Sequence, residues 1–215
     1  KALELNFTNE GGVGNTIRLL KNITGLWLVQ ECRRVWNEAG NDWDWEDLNR
    51  MTASAPSLVS FINPDARDFL TPSNMPETIR EFTKRTGQQV PDSEGAVLRC
   101  ALDSIAFRFR EVLEMCESLI GKRIERIHIV GGGTKNKLLC QAAADACGRP
   151  VAAGPVEATA IGNLMVQALA AGEVSSIAEA RQVVRESFPL DEYEPQNTAA
   201  WDDAYERYLT VCRQS

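Results

Sequence analysis

One segment limits the possible folds more than any other. Arg126-Ile127-His128-Ile129-Val130 is a run of β-formers, Gly131-Gly132-Gly133-Thr134-Lys135-Asn136 follows as a turn, and Lys137 to Cys147 places apolar residues at helical spacing. Gly148-Arg149-Pro150-Val151 then leads into a second short strand, and after the Pro155-Val156-Glu157 loop an Ala-rich helix runs from Ala158 to Ala171, closed by Gly172. Strands alternating with helices predict an α/β domain with a partly parallel sheet. At 215 residues the length suits one domain, and 44% apolar with 25% charged residues is enough to build a core.

The flanking sequence predicts mostly helix. Residues 1–8 read as a short strand, with Leu3, Leu5 and Phe7 on one side, and Asn9 to Asn15 as a glycine-rich turn. Thr16 to Trp36 reads as one long, largely buried helix. Asn22 and Gln30 interrupt its apolar pattern, about 80° apart on adjacent faces. A second helix covers Asp44 to Ala53, a third Met75 to Thr86, stopped by Gly87. Between them, Pro56, Pro64 and Pro72 mark strand and loop, with Phe61 and Ile62 as the strand candidates. Glu94 to Ile120 is the clearest helix, with Leu98, Leu102, Ile105, Phe109, Val112 and Cys116 recurring at three and four, and Gly121 ends it. Ile177 to Ser187 and Thr198 to Arg213 are the last two helices.

Charge and residue inventory exclude several chemistries. With 23 Lys+Arg against 30 Asp+Glu the chain carries −7, so it lacks the counterion-release term behind general nucleic-acid binding and the attraction to anionic lipid. No apolar run approaches the roughly 20 residues of a membrane span. The six cysteines contain no C-x-x-C pair and the single histidine is His128, so no zinc site of usual spacing can be built, and any Ser/His/Asp or Cys/His set would have to involve His128, which reads as a structural residue of its strand. Cys140 and Cys147 share a helix face, and the cysteines read as reduced, buried thiols of a cytosolic protein.

The glycine turn is open to two readings. A strand ending in glycines and entering a helix presents backbone N–H groups and a positive dipole end to phosphate; the same sequence also suits a plain tight turn. It is neither a dinucleotide fingerprint, which needs glycine where Asn136 stands, nor a P-loop. The small residues from Gly154 to Asn163 either admit a ligand or let a helix pack closely, and Thr8-Asn9-Glu10-Gly11-Gly12 is a further polar turn.

Longer runs carry a family resemblance. Phe7-Thr8-Asn9-Glu10-Gly11-Gly12, Ile17 to Ile23, Gly25 to Glu31, Ile127 to Gly133 with Asn136, Leu138 and Leu139, Ala144 to Gly148, and Ala153 to Ala158 together resemble the FGGY carbohydrate kinases, in collinear order over nearly the whole chain. The segment from Asn6 to Gln30 points to the rhamnulokinase branch. The resemblance implies an actin-like, ribonuclease-H-like ATPase fold and a cytoplasmic enzyme that phosphorylates the 1-hydroxyl of L-rhamnulose with ATP and Mg2+. It also implies that residues 1–215 are the C-terminal, nucleotide-side domain alone. The general-base aspartate would then lie in an N-terminal partner domain outside this chain, in keeping with the missing initiator Met, and the piece would be inactive by itself. By the same resemblance Asn22 contacts sugar, while Gln30 and Gly132 contact nucleotide with Gly131, Gly133 and Asn136 as neighbours. Two departures stand out. Gly14 replaces a frequent acidic residue, and Ala143 and Thr83 remove the cysteine pairings some relatives make in this domain.

Overall fold

In the computed structural model, which describes residues 1–214, the chain runs β1 (Thr8–Gly11), β2 (Ile17–Leu20), α1 (Trp27–Glu38), α2 (Trp45–Ser54), α3 (Met75–Arg85), α4 (Glu94–Ile120), β3 (Ile127–Ile129), α5 (Lys137–Cys147), β4 (Val151–Ala153), α6 (Ala158–Ala171), α7 (Ile177–Ser187), β5 (Asp191–Tyr193) and α8 (Thr198–Cys212). Local chemistry sets many of the helix ends. Asp44 and Asp47 form a reciprocal capping box at the start of α2. The Asn74, Ser93, Asn136 and Ser176 side chains accept from the first turns of α3, α4, α5 and α7. Gly121, Gly148 and Gly172 close α4, α5 and α6 in the left-handed conformation that a side chain would oppose.

The core surrounds the N-terminal half of α4. Leu98, Ala101, Ile105, Ala106 and Phe107 are fully buried there. Phe107 meets Trp201 at 4.9 Å and Tyr208 at 5.2 Å between ring centroids, with Phe61 at 5.3 Å edge-on. α2 crosses α4 so closely that a Cβ on Gly95 would run into the Met51 carbonyl. Beside this helical layer lies a three-stranded sheet in the order β3-β4-β5, with β3 parallel and β5 antiparallel to the central β4. Ala143 and Ala144 of α5 pack with Val151 in a small second cluster. A β3–turn–α5–β4 crossover therefore carries the glycine turn at the C-terminal end of β3, where open α/β sheets bind ligands.

Several sequence expectations are corrected. Residues 1–8 are not a strand: the Leu5 and Phe7 amides bond back to the Lys1 and Ala2 carbonyls at 3.0 and 2.9 Å, and pairing begins at Thr8. The long helix from Thr16 does not form. Ile17–Leu20 instead pairs antiparallel with Thr8–Gly11, supported by an Arg18–Glu10 ion pair across the strands, and helix starts only at Trp27. Asn22 and Gln30 consequently do not share a helix. Phe61 and Ile62 are buried but not in a strand, because side chains replace the ladder. Gln88 accepts from the Phe61 amide at 2.7 Å and donates to its carbonyl at 2.8 Å, and the Ser104 hydroxyl accepts from the Ile62 amide at 2.9 Å. β3, expected to be buried, is an edge strand with His128 exposed. β5 was not anticipated. α6 does not use its small residues for close packing: it has no buried residue, and a Cβ on Gly162 would meet nothing within 4 Å.

The expected thiols are present. None of the six cysteines forms a disulfide; Cys32, Cys100, Cys140 and Cys147 are buried as expected, whereas Cys116 and Cys212 are only partly buried. Burial pushes the Cys100 and Cys147 thiols up to about 12 and Cys140 to about 11, so none is a ready nucleophile.

Candidate functional site

The glycine turn is clamped from below. The Gly131 amide donates to the Pro155 carbonyl at 3.1 Å, the Gly154 amide to the Ile129 carbonyl at 2.8 Å, and the Thr134 hydroxyl to the Gly131 carbonyl at 2.8 Å. Gly131 sits at φ +79°, where glycine is the natural residue. Gly132 is different. Its φ lies outside the left-handed region, and a Cβ there would meet nothing within 4 Å; at Gly133 a Cβ would make only an ordinary 3.8 Å contact with Ile129. The fold therefore does not require glycine at 132, whereas a ligand lying on the backbone would. Asn136 ends the turn and caps α5, its Oδ1 accepting from the Leu139 amide at 2.9 Å, which leaves its NH2 as a donor.

These residues form one wall of a cavity of about 410 Å3, within the range that holds small ligands. Its lining consists of Gly132, Gly133, Lys135 and Asn136 from the turn, Leu26 just ahead of α1, Val29 and Gln30 of α1, and Trp45 and Asn49 of α2. The cavity thus joins segments about a hundred positions apart in the chain. Four of the six expected site residues (Gln30, Gly132, Gly133 and Asn136) are brought together here. Gly131 lies behind, holding the turn. Asn22 does not line the cavity: it is exposed on the extended segment between β2 and α1. Both its sides are anchored. The Lys21 ammonium donates to the Leu5 carbonyl at 2.6 Å, and the Thr24 amide donates to Asp65, which also pairs with Arg108 at 2.8 Å. Burial, and next the Arg108 charge, lowers the Lys21 pKa from its ordinary value.

A larger cavity of about 660 Å3 lies between α6 and α7 and reaches Val13, but its lining is mainly apolar, with Asn163, Gln167 and Arg181 as its polar residues. It lacks the convergence of backbone, amide and aromatic groups found at the glycine turn, so the smaller cavity is the better site. Among the described residues no group of three or more His, Cys, Asp or Glu could hold a metal ion. No metal ligand is therefore assigned within them. No helix among the described residues is long and apolar enough to cross a membrane.

The profile of the FGGY family of carbohydrate kinases, C-terminal domain, matches residues 1–171. The chain belongs to this family. This FGGY domain is 47% identical over 97% of its length to a protein named rhamnulokinase from Bacteroides thetaiotaomicron, and 41% identical over 91% to one from Bacillus subtilis. It spans about two-fifths of those relatives, 42% and 40% of their lengths. Among solved structures it resembles a ligand-bound xylulose kinase from Lactobacillus acidophilus, with TM-score 0.67 at 14% identity over 98% of this chain and 42% of that one. A glycerol kinase from Plasmodium falciparum, solved with ADP, gives 0.59 at 18% over 90% and 39%. At those identities the likeness concerns fold alone. It agrees with the α/β class expected of an FGGY C-terminal domain.

Sequence reasoning missed Trp45, Asn49, Leu26, Val29 and Lys135 as members of the site. Trp45 at a helix start was a visible oddity, but only the approach of α2 to the glycine turn gives it a role.

Proposed function

We propose that this FGGY domain is the nucleotide-side half of an ATP-dependent sugar kinase that phosphorylates the 1-hydroxyl of L-rhamnulose. The carrying observation is the convergence of Gln30, Gly132, Gly133 and Asn136 on one cavity, at a glycine whose missing Cβ the fold itself does not need. In this reading the nucleotide lies along the bare Gly132–Gly133 backbone, and the Gln30 and Asn136 amides hydrogen-bond it. Asn22 serves the sugar: it lies five residues ahead of α1, at the helix end whose first turn lines the cavity. Mg2+ enters with ATP, since it commonly retains waters and binds substrate phosphates rather than an all-protein cage.

Phosphoryl transfer depends mainly on alignment and charge stabilisation. The residues described here bind and orient the donor. The aspartate that accepts the sugar proton belongs, on this reading, to a partner domain of the longer protein, and closure of the two domains excludes water. The 215-residue piece alone is then expected to release no ADP above a buffer blank.

The rhamnulokinase relatives, at 47% and 41% identity, support L-rhamnulose over other sugars. The test is ADP release by the full-length gene product with L-rhamnulose, xylulose and glycerol in parallel. A clear preference for L-rhamnulose is expected. Turnover with xylulose or glycerol instead would reassign the substrate, and ADP release with none of the three would overturn the proposed substrate class.

A further inference from the structure

The part of the cavity lining that α2 contributes has a chemistry that nucleotide binding in general does not require. Trp45 opens α2, and its position is well determined: the capping box between Asp44 and Asp47 holds the helix start, with the Asp47 amide 2.8 Å from Asp44 Oδ1. The Arg33 guanidinium lies over the indole ring, 4.8 Å from its centroid, and is itself held by an Nε donation to the Trp43 carbonyl at 2.9 Å. A large aromatic ring that is 45% exposed and fixed by a stacked cation is an expensive way to cover a helix end. Asn49 stands one turn further along α2 and borders the same cavity, and its side-chain amide has no hydrogen-bond partner among the described residues. The side-chain-free backbone of Gly132 and Gly133 lines the same cavity.

Aromatic ring, free amide and bare backbone suit a flat heteroaromatic ring with a donor and an acceptor on one edge. We propose that Trp45 and Asn49 select the base of the nucleotide: the indole stacks on the purine, and the Asn49 amide pairs with the amino group and adjacent ring nitrogen of adenine. An asparagine amide pairs in two places with the adenine edge, whereas guanine presents two acceptors at its corresponding edge. The site therefore discriminates ATP from GTP through Asn49 and gains affinity for either purine through Trp45. This inference rests on the nucleotide reading of the cavity and specifies which part of the nucleotide meets α2.

The experiment is ADP titration of the full-length gene product, followed by calorimetry and by tryptophan fluorescence. ADP is expected to quench the wild type. Trp45→Phe keeps a stacking ring, so it should retain affinity within about threefold and lose most of the quench. Trp45→Ala should weaken ADP about tenfold or more, as loss of a base-stacking aromatic does. Asn49→Ala should lower the ratio of ATP to GTP in kcat/KM about tenfold. Thermal melts confirm that each variant is folded, and Trp45→Phe and Asn49→Ala carry the test if Trp45→Ala is not. Unchanged ADP affinity and quench in the Trp45 variants, with an unchanged ATP-to-GTP ratio in Asn49→Ala, would place the base elsewhere and overturn this assignment while leaving nucleotide binding intact. Failure of wild-type ADP to bind by calorimetry would overturn the nucleotide reading itself.

Discussion

The two ends of this domain are built on different terms. Around the first half of α4 lies the large buried core, and Phe61, Phe107, Trp201 and Tyr208 interlock at ring distances of about 5–6 Å. At the other end, α6 is strongly apolar yet has no buried residue, Leu164 is 61% exposed, and Val166 and Val130 are also exposed. The candidate site lies at the junction. Its α1 and α2 walls belong to the packed layer, while the glycine turn belongs to the lightly covered sheet. A rigid wall with binding side chains can thus face a backbone cradle that pays little for being open, which is how a packed scaffold positions a loop-borne site.

Substitutions at the two ends should differ in kind, and the largest effect belongs to the packed end. Phe107→Ala removes a fully buried ring contacted from several sides and should cost about 3–5 kcal/mol of unfolding free energy by denaturant titration. A loss below about 1 kcal/mol would mean that the layer around α4 is not the core described. At the junction, Gly132→Val has open space for its side chain and should leave the denaturation midpoint nearly unchanged while weakening ADP about tenfold or more in the full-length protein, near 1.4 kcal/mol. Equal losses of stability and affinity would make the glycine a structural requirement after all. At the open end, Leu164→Ser should change stability by no more than about 0.5 kcal/mol. A larger loss would show that α6 is better packed in solution than its exposure indicates.

Much of the architecture was readable in advance where local chemistry is decisive. Both bounds of α4 and α5 follow from a side-chain cap and a closing glycine, the end of α6 from Gly172 and the start of α7 from the Ser176 cap. A third of the site was readable for the same reason, since Gly132, Gly133 and Asn136 of its nine lining residues occupy a single turn. The misreadings share one cause. Ile17-Arg18-Leu19-Leu20 fits a helical face and a strand equally well, and the partners that decide, Thr8 to Gly11, lie outside any helical window. Phe61 and Ile62 are apolar enough for a strand, but Gln88 and Ser104, well removed in sequence, hold their backbone instead.

By itself, then, the sequence determined the alternation of strand and helix, most helix ends and the glycine turn with its Asn136 cap, because each depends on interactions a few residues apart. Only the tertiary structure decided that Ile17–Leu20 is a strand, that Asn22 stands away from the cavity lined by Gln30, and that Trp45 and Asn49 line one cavity with Gly132 and Gly133. Those outcomes rest on pairings between distant segments, for which no local propensity can substitute.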